Sequence, residues 1–508
     1  MKIKLDFTRP VPLRPSFNQA RKPKIPTSRF AIPALGIALA LFFGLAAAVL
    51  PWQFLIGIVG LPVLLLLGIA FPLPIFGISL LLMFGIVPEF IMAALPLGGA
   101  SLRPPELILI FLFLVMCAKA SGTGIEVIQA LRPIGVLLIL LALGLALGLV
   151  KGKLLAHNTL ALADARQFVG WLALPIAVWL TRTRPAAMQN LVIGIALLAA
   201  ILMVAQLVSG VRLIYGFRGA EYLSKEFTDV TRSAIGGGLF FLSYAAYVLF
   251  LKTCNDEKYR WWSLLGCIVV IGGIVASFNR GIWAGFALSA LILLFIKPKT
   301  KFGVAAPLSV LLLMVALGVG ALLIAKPRVA DALVSRIVSV REEGGQGSSL
   351  GFRFDENEQA LRALKASPIV GVGMGGEYKT AFRQLSTAGS FDIEDSYIHN
   401  GYLSLWLKLG AAGLLFPLVL AWTVIARARS IAKDPELKTN VSIRCQVAAV
   451  AATVAMMYVS ALTSPDWTAL GQCAALAILL ALLLPRGEAL KSGLRRPGFV
   501  MNPTWSAR

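Results

Sequence analysis

Residues 262–296 read WSLLGCIVVIGGIVASFNRGIWAGFALSALILLFI, two apolar runs (262–278 and 281–296) joined only by Asn279-Arg280. Each run approaches the ~20 residues that carry a helix across the hydrocarbon core of a bilayer. A charge at the lipid boundary is costly unless it faces protein or ligand. Arg280, the single charge in this stretch, therefore marks a break or re-entrant turn whose cation looks inward.

The whole chain follows the same pattern. Of 508 residues, 58% are hydrophobic and 14% charged, against about 25% charged in a typical soluble domain. So few charges cannot cover a water-facing surface, and this excludes a soluble globular enzyme. Runs long enough to cross occur near 30–50, 54–71, 75–95, 105–120, 133–150, 167–181, 189–210, 235–252, 262–278, 281–296, 303–325, 401–426, 445–464 and 467–485. The expected fold is all-α, a polytopic membrane protein with about 12–14 transmembrane helices. Val87-Pro88-Glu89 interrupts one of the runs.

The net charge of +23 would suggest nucleic acid in a soluble protein, but its distribution argues otherwise. With the amino terminus inside, the segments 1–29, 119–132, 182–188, 252–260, 297–301, 427–444 and 486–508 hold 28 basic and 7 acidic residues, net +21, and the remainder is net +2. Cytoplasmic loops collect Lys and Arg, so both termini are expected in the cytoplasm, with no nucleic-acid partner. The organisation reads as a basic tail (1–29), transmembrane helices (30–325), an outer loop (326–400), transmembrane helices (401–485) and a second tail (486–508). Eight basic residues and five prolines make 1–29 a disordered tail that touches membrane lipids. The first apolar run ends in Ala46-Ala47-Ala48 but is long and far from the start, which favours an uncleaved helix over a signal peptide. Five cysteines without a C-x-x-C pair, and only two histidines, predict neither a disulfide framework nor a zinc site.

Long loops carry function, and 326–400 is the one long loop here. Helical spacing predicts short helices at 330–343, 353–366 and 377–386, with Gly344-Gly345-Gln346-Gly347 between the first two. Arg353 opens the second, where a helix amino terminus disfavours a cation unless an anion offsets it; Asp355 and Glu356 offer an ordinary pairing. Ser396-Tyr397-Ile398-His399-Asn400-Gly401-Tyr402-Leu403 then runs into a membrane helix, placing His399 at its mouth.

The order Ser277-x-x-Arg280-Gly281, then Arg353 on a helix leading to Ser367-Pro368-Ile369-Val370-Gly371-Val372-Gly373, then His399-Asn400-Gly401-Tyr402-Leu403, resembles the O-antigen ligase and polymerase superfamily over roughly residues 230–430. The resemblance implies a glycosyltransferase of the membrane-embedded C type with its long loop periplasmic, sited in a bacterial inner membrane. It implies transfer of a glycan from an undecaprenyl-diphosphate donor to an acceptor hydroxyl: a glycan, the lipid A core or a protein. By the resemblance Arg280, Arg353 and His399 are the catalytic residues. Two guanidinium groups suit the charge that develops on a departing diphosphate, in place of a metal or other cofactor. A neutral histidine suits removal of the acceptor's proton.

Asn400 and Tyr402 are expected to shape the site. Lys408, two turns into the helix, either lines the donor groove or snorkels outward, and Asp466 either orients the acceptor or is a plain loop acid. Asp392-Ile393-Glu394-Asp395 offers a divalent-cation alternative. Gly371-Val372-Gly373-Met374-Gly375-Gly376 fits G-x-G-x-x-G, but with no strand–helix–strand unit around it the glycines read as a tight turn or a close backbone approach to a diphosphate. His157 reads as a surface histidine. The competing function is a secondary transporter or flippase of lipid-linked sugars, which is expected to keep its ionisable residues near the bilayer midplane. A non-catalytic scaffold for polysaccharide assembly is a third reading.

Overall fold

The computed structural model describes residues 66–86, 95–97, 100–119, 124–214, 221–222, 230–233, 235–255, 259–295, 304–338, 349–378, 383–386, 389–392, 397–434 and 440–484. The expected spans at 30–50 and most of 54–71, and both tails, lie outside them.

Among the described residues the architecture is all-α, with three two-stranded antiparallel hairpins between helices. In chain order the elements are α1 (Pro72–Met83), β1 (Leu95–Leu97), β2 (Ala100–Leu102), α2 (Pro104–Lys119), α3 (Gly124–Leu131), α4 (Gly135–Leu149), α5 (Ala161–Gln167), α6 (Ala173–Thr183) and α7 (Pro185–Ser209). They continue with β3 (Glu221–Tyr222), β4 (Thr231–Arg232), α8 (Gly238–Thr253), α9 (Arg260–Ala276), α10 (Arg280–Phe295), α11 (Ala305–Ala325), α12 (Pro327–Val338) and α13 (Ser349–Ala366). The last are β5 (Arg383–Ser386), β6 (Gly389–Asp392), α14 (Gly401–Leu409), α15 (Ala411–Lys433), α16 (Val441–Ser460) and α17 (Leu470–Leu483).

Among the described residues, five helical stretches are long and apolar enough to cross a membrane: Val127–Leu155, Ala161–Thr183, Pro185–Ser209, Ala411–Lys433 and Val441–Ser460. Among the described residues, two helices are almost wholly enclosed. In α8 and α17 nearly every residue is buried, as expected for helices apolar on all sides. Peripheral α4 leaves Val136, Ile139, Leu143 and Leu147 exposed, the face a lipid-bathed helix presents.

In the run 75–95, read as interrupted at Val87-Pro88-Glu89, α1 stops at Met83 and Gly85 turns the chain at φ +69. Two expectations are corrected. The run 401–426 is two helices, because Gly410 (φ +63) breaks it and a side chain there would come within 2.2 Å of the Ile369 carbonyl. The third loop helix, 377–386, is not what its last residues form: 383–386 are strand β5, with Arg383 opposite Asp392 and Ser386 opposite Gly389 of β6, so cross-strand pairing satisfies the main chain there in place of helical bonds. The other two loop helices form as α12 and α13, and α13 starts four residues before Arg353.

Candidate active site

The junction within 262–296 is a three-residue turn. Phe278 adopts φ +49, a left-handed conformation that aromatic residues rarely take and that costs about 1–3 kcal/mol. Packing holds it there: its side chain is fully buried against Val230, Val329 and Ala332. Its carbonyl accepts the Nε–H of Arg336 at 3.4 Å. The Ser277 hydroxyl accepts the Asn279 N–H (3.2 Å), and Asn279 Oδ1 accepts the Ile282 N–H (3.3 Å), capping α10. Arg280, the first residue of α10, is thus aimed by a fixed main-chain turn.

A cavity of about 400 Å³ lies beside this turn. Arg280, Arg353, His399 and Asp466 all line it, so four of the residues singled out from sequence meet in one place. Arg336, Arg103 and Arg166 line it as well, making five arginines.

The α13 helix supplies a second group that sequence reading weighed only as a partner for Arg353. Glu356, one turn beyond Arg353, is on the same helix face and is buried. Its Oε2 accepts both the main-chain N–H of His399 (2.9 Å) and His399 Nδ1 (3.0 Å). With the carboxylate ionised, Nδ1 carries the proton and Nε2 is left as acceptor. The imidazole is flanked edge-on by Tyr397 and Phe352, at centroid distances of 5.0 and 6.2 Å. Below them, Ala360 and Leu364 of α13 pack with Ile398 and with Leu407 of α14 in one apolar cluster. That packing fixes α13 over the start of α14.

Asn400 and Tyr402 serve this frame and do not line the cavity. Asn400 Oδ1 caps α14, accepting from Tyr402 N (3.0 Å) and Leu403 N (3.2 Å). The Tyr402 hydroxyl donates to the Tyr458 carbonyl at 2.8 Å, and its ring meets Trp467 edge-on at 4.5 Å. The Gly401 N–H donates to the Ala461 carbonyl (2.7 Å), which seats the 461–469 loop on α14. Asp466 in that loop is buried, and burial pushes its carboxyl up to about 6 against smaller lowering influences of Ser460 and Ser464.

Lys408 is also away from the cavity: its Nζ donates to Asp164 Oδ1 at 2.6 Å. Asp164 Oδ2 in turn accepts the Gly375 N–H (2.7 Å), and Lys151 Nζ donates to Ser367 Oγ and the Gly371 carbonyl, each at 2.7 Å. The glycines of 371–376 therefore approach protein backbone. Gly371, Gly373 and Gly375 have φ of +73, +90 and +65, and a side chain at Gly152 would lie 2.1 Å from the Met374 carbonyl. Glu394 and Asp395 lie outside the described residues, and His157 is exposed.

Membrane-length helices whose ends surround an arginine-rich cavity define an all-α polytopic membrane protein with a cationic site. Residues 265–418 match the family described as O-antigen ligase, which supports membership of the O-antigen ligase and polymerase family. The matched stretch contains Arg280, Arg336, Arg353, Glu356 and His399, whereas Arg103, Glu106, Arg166 and Asp466 fall outside it. An uncharacterized protein of Haemophilus influenzae (strain ATCC 51907 / DSM 11121 / KW20 / Rd) is 28% identical over 211 residues, 40% of this chain and 52% of the relative. The chain thus spans about half the length of that curated relative.

Proposed function

We propose that this chain is a glycosyltransferase of the O-antigen ligase or polymerase kind, moving a glycan from an undecaprenyl-diphosphate donor to an acceptor hydroxyl on the periplasmic face of the inner membrane. The observation that carries the reading is that Arg280, Arg353 and His399 line one cavity, with the histidine ring held through Nδ1 by a buried glutamate.

In the reaction the acceptor oxygen attacks the anomeric carbon. The bond from that carbon to the diphosphate oxygen breaks, and undecaprenyl diphosphate departs with the electron pair. Arg280 and Arg353 stabilise the charge that grows on the diphosphate, the work a divalent cation performs elsewhere. His399 Nε2 takes the acceptor's proton, and Glu356 stabilises the imidazolium that results. The acceptor is a lipid-linked repeat unit, the lipid A core or a protein hydroxyl. A flippase would hold its ionisable groups along a path through the midplane. Here Arg280 begins α10, His399 precedes α14 and Asp466 lies between α16 and α17, all at helix ends.

The test is glycan transfer from undecaprenyl diphosphate by purified protein with chelator present. Arg353→Ala is expected to lower kcat on the order of a hundredfold, the usual cost of losing one electrostatic stabiliser. His399→Ala should abolish transfer with the fold intact. Full activity in both variants would remove the mechanism.

A further inference from the structure

The helix that ends at the Phe278 turn carries a second feature at its other end. Along α9, Trp261, Leu264, Leu265 and Ile268 recur at helical spacing, and with Trp262 they form one wall of a groove of about 300 Å³. Val310 and Met314, one turn apart on α11, form the other wall. Leu264 is buried, whereas Trp261 and Trp262 are 70% and 73% exposed and Leu265 and Met314 about half-exposed. From Arg260 to Ala276 the helix rises about 24 Å. The groove therefore lies near the opposite face of the bilayer from the cavity that Ser277, Asn279 and Arg280 line. The course of α11 agrees: Val310 is near its start, and its end leads into α12, which packs on Phe278.

Two observations point to what fills this groove. Tryptophan and tyrosine gather at the level of lipid headgroups, where the ring stays in hydrocarbon and the N–H or O–H meets polar atoms. Tyr259, Trp261 and Trp262 are all exposed, so the mouth of the groove is at that level. The charge there is positive. Lys252 is in the last turn of α8, and Arg260 opens α9. The flanking segments 252–260 and 297–301 together hold six basic residues against Asp256 and Glu257. That excess belongs to the segments as a whole, whatever partner each residue has within the protein, and it attracts anionic headgroups at a bilayer surface. A hydrophobic groove at a positively charged end of the helices matches an amphiphile with an anionic head.

We propose that the groove between α9 and α11 is a site for an anionic phospholipid. One acyl chain lies against Trp261, Leu265 and Met314, with the headgroup at the level of Arg260. Boundary lipid exchanges freely and ignores headgroup charge; here the groove holds the chain and the charge selects the head. A lipid seated there bridges two helices whose far ends carry the Phe278 turn and α12.

The experiment places the full-length chain in phosphatidylcholine vesicles and adds either phosphatidylglycerol or phosphatidylcholine with brominated acyl chains. Bromine quenches the fluorescence of a tryptophan it touches, and subtracting the signal of Trp261→Phe/Trp262→Phe separates these two from the other tryptophans. The pair is expected to be half-quenched at a mole fraction of brominated phosphatidylglycerol about fivefold lower than that of brominated phosphatidylcholine, the preference that one basic residue near the surface confers. Molar salt should reduce that preference. Val310→Phe/Met314→Phe, which fills the groove from α11, should leave the two lipids quenching alike. If that variant does not fold, Leu265→Phe narrows the groove from the exposed side of α9 and is expected to give the same result. Equal quenching by the two lipids in the wild-type chain would overturn the site in favour of boundary lipid. No quenching by either would overturn it in favour of cover by another part of the chain or by a second copy. A preference that survives filling of the groove would overturn it as well. The glycan-transfer reading is untouched by any of these results.

Discussion

Glu356→Gln isolates the least expected element of the site. The side chain keeps its size and an acceptor oxygen, but it loses the charge that holds the ring of His399. Two hydrogen bonds converge on one buried oxygen, at 2.9 and 3.0 Å. Bonds to a charged group are worth about 1.5–3 kcal/mol each, roughly twice neutral ones. The substitution should therefore forfeit about 2–4 kcal/mol of transition-state stabilisation, a fall in kcat of roughly thirtyfold to a thousandfold by transition-state arithmetic. KM for the donor should change little, because Glu356 acts through His399 and does not itself line the cavity. The assay is transfer from undecaprenyl-diphosphate-linked glycan in detergent, run as a cycle with His399→Ala and the double variant. If the glutamate works through the histidine, adding Glu356→Gln to His399→Ala lowers the rate no further. Independent, additive losses, or a single variant with more than half the normal kcat, would refute the reasoning.

Asp466→Asn tests the buried carboxyl outside the family match. Its value of about 6 in the folded chain lies about two units above the unfolded one, so the folded state favours the protonated form. Its stabilising contribution is complete below about pH 4 and is lost as pH rises through about 6, a swing of about 3 kcal/mol. Thermal unfolding of the two proteins from pH 4 to 7.5 should show the asparagine variant gaining on the wild type toward high pH; a constant Tm gap would contradict it. Gly152→Ala should destabilise the 371–376 loop by about 1–3 kcal/mol through overpacking, since the new methyl would meet the Met374 carbonyl at 2.1 Å. Limited proteolysis of that loop reads the effect. Lys408→Met should cost about 1–3 kcal/mol by leaving the part-buried Asp164 without its charged partner, with most of it restored in Asp164→Asn/Lys408→Met. A raised donor KM with unchanged Tm would instead put Lys408 in the groove.

Apolar run lengths carried most of the helices, because a bilayer demands continuous hydrogen-bonded backbone and that demand is written in composition. They failed where one glycine decides. Gly410 sits in a run whose one charge is Lys408, and the close Ile369 carbonyl explains why a glycine is needed where the helix stops. Arg280, Arg353 and His399 were legible through their order along the chain together with the resemblance, not through any spacing that forces contact. Glu356 was read, with Asp355, as an ordinary pairing for Arg353, and its contact with His399, 43 residues away, is a tertiary one that no local pattern announces. Glu106 carried a usable signal, a carboxylate at the head of an apolar run, while Arg336 stood among ordinary loop charges. Lys408 and Asp164 gave no hint of each other, 244 positions apart.

One oxygen of Glu356 grips both the main chain and the ring of His399, while Arg353 lies a single turn away on the same helix. The spacing between Arg353 and the imidazole is therefore set by a tertiary contact and not by the chain between them. Any displacement of α13 relative to the start of α14 must first break that double grip, so the two side chains keep their spacing only as long as the helices stay docked.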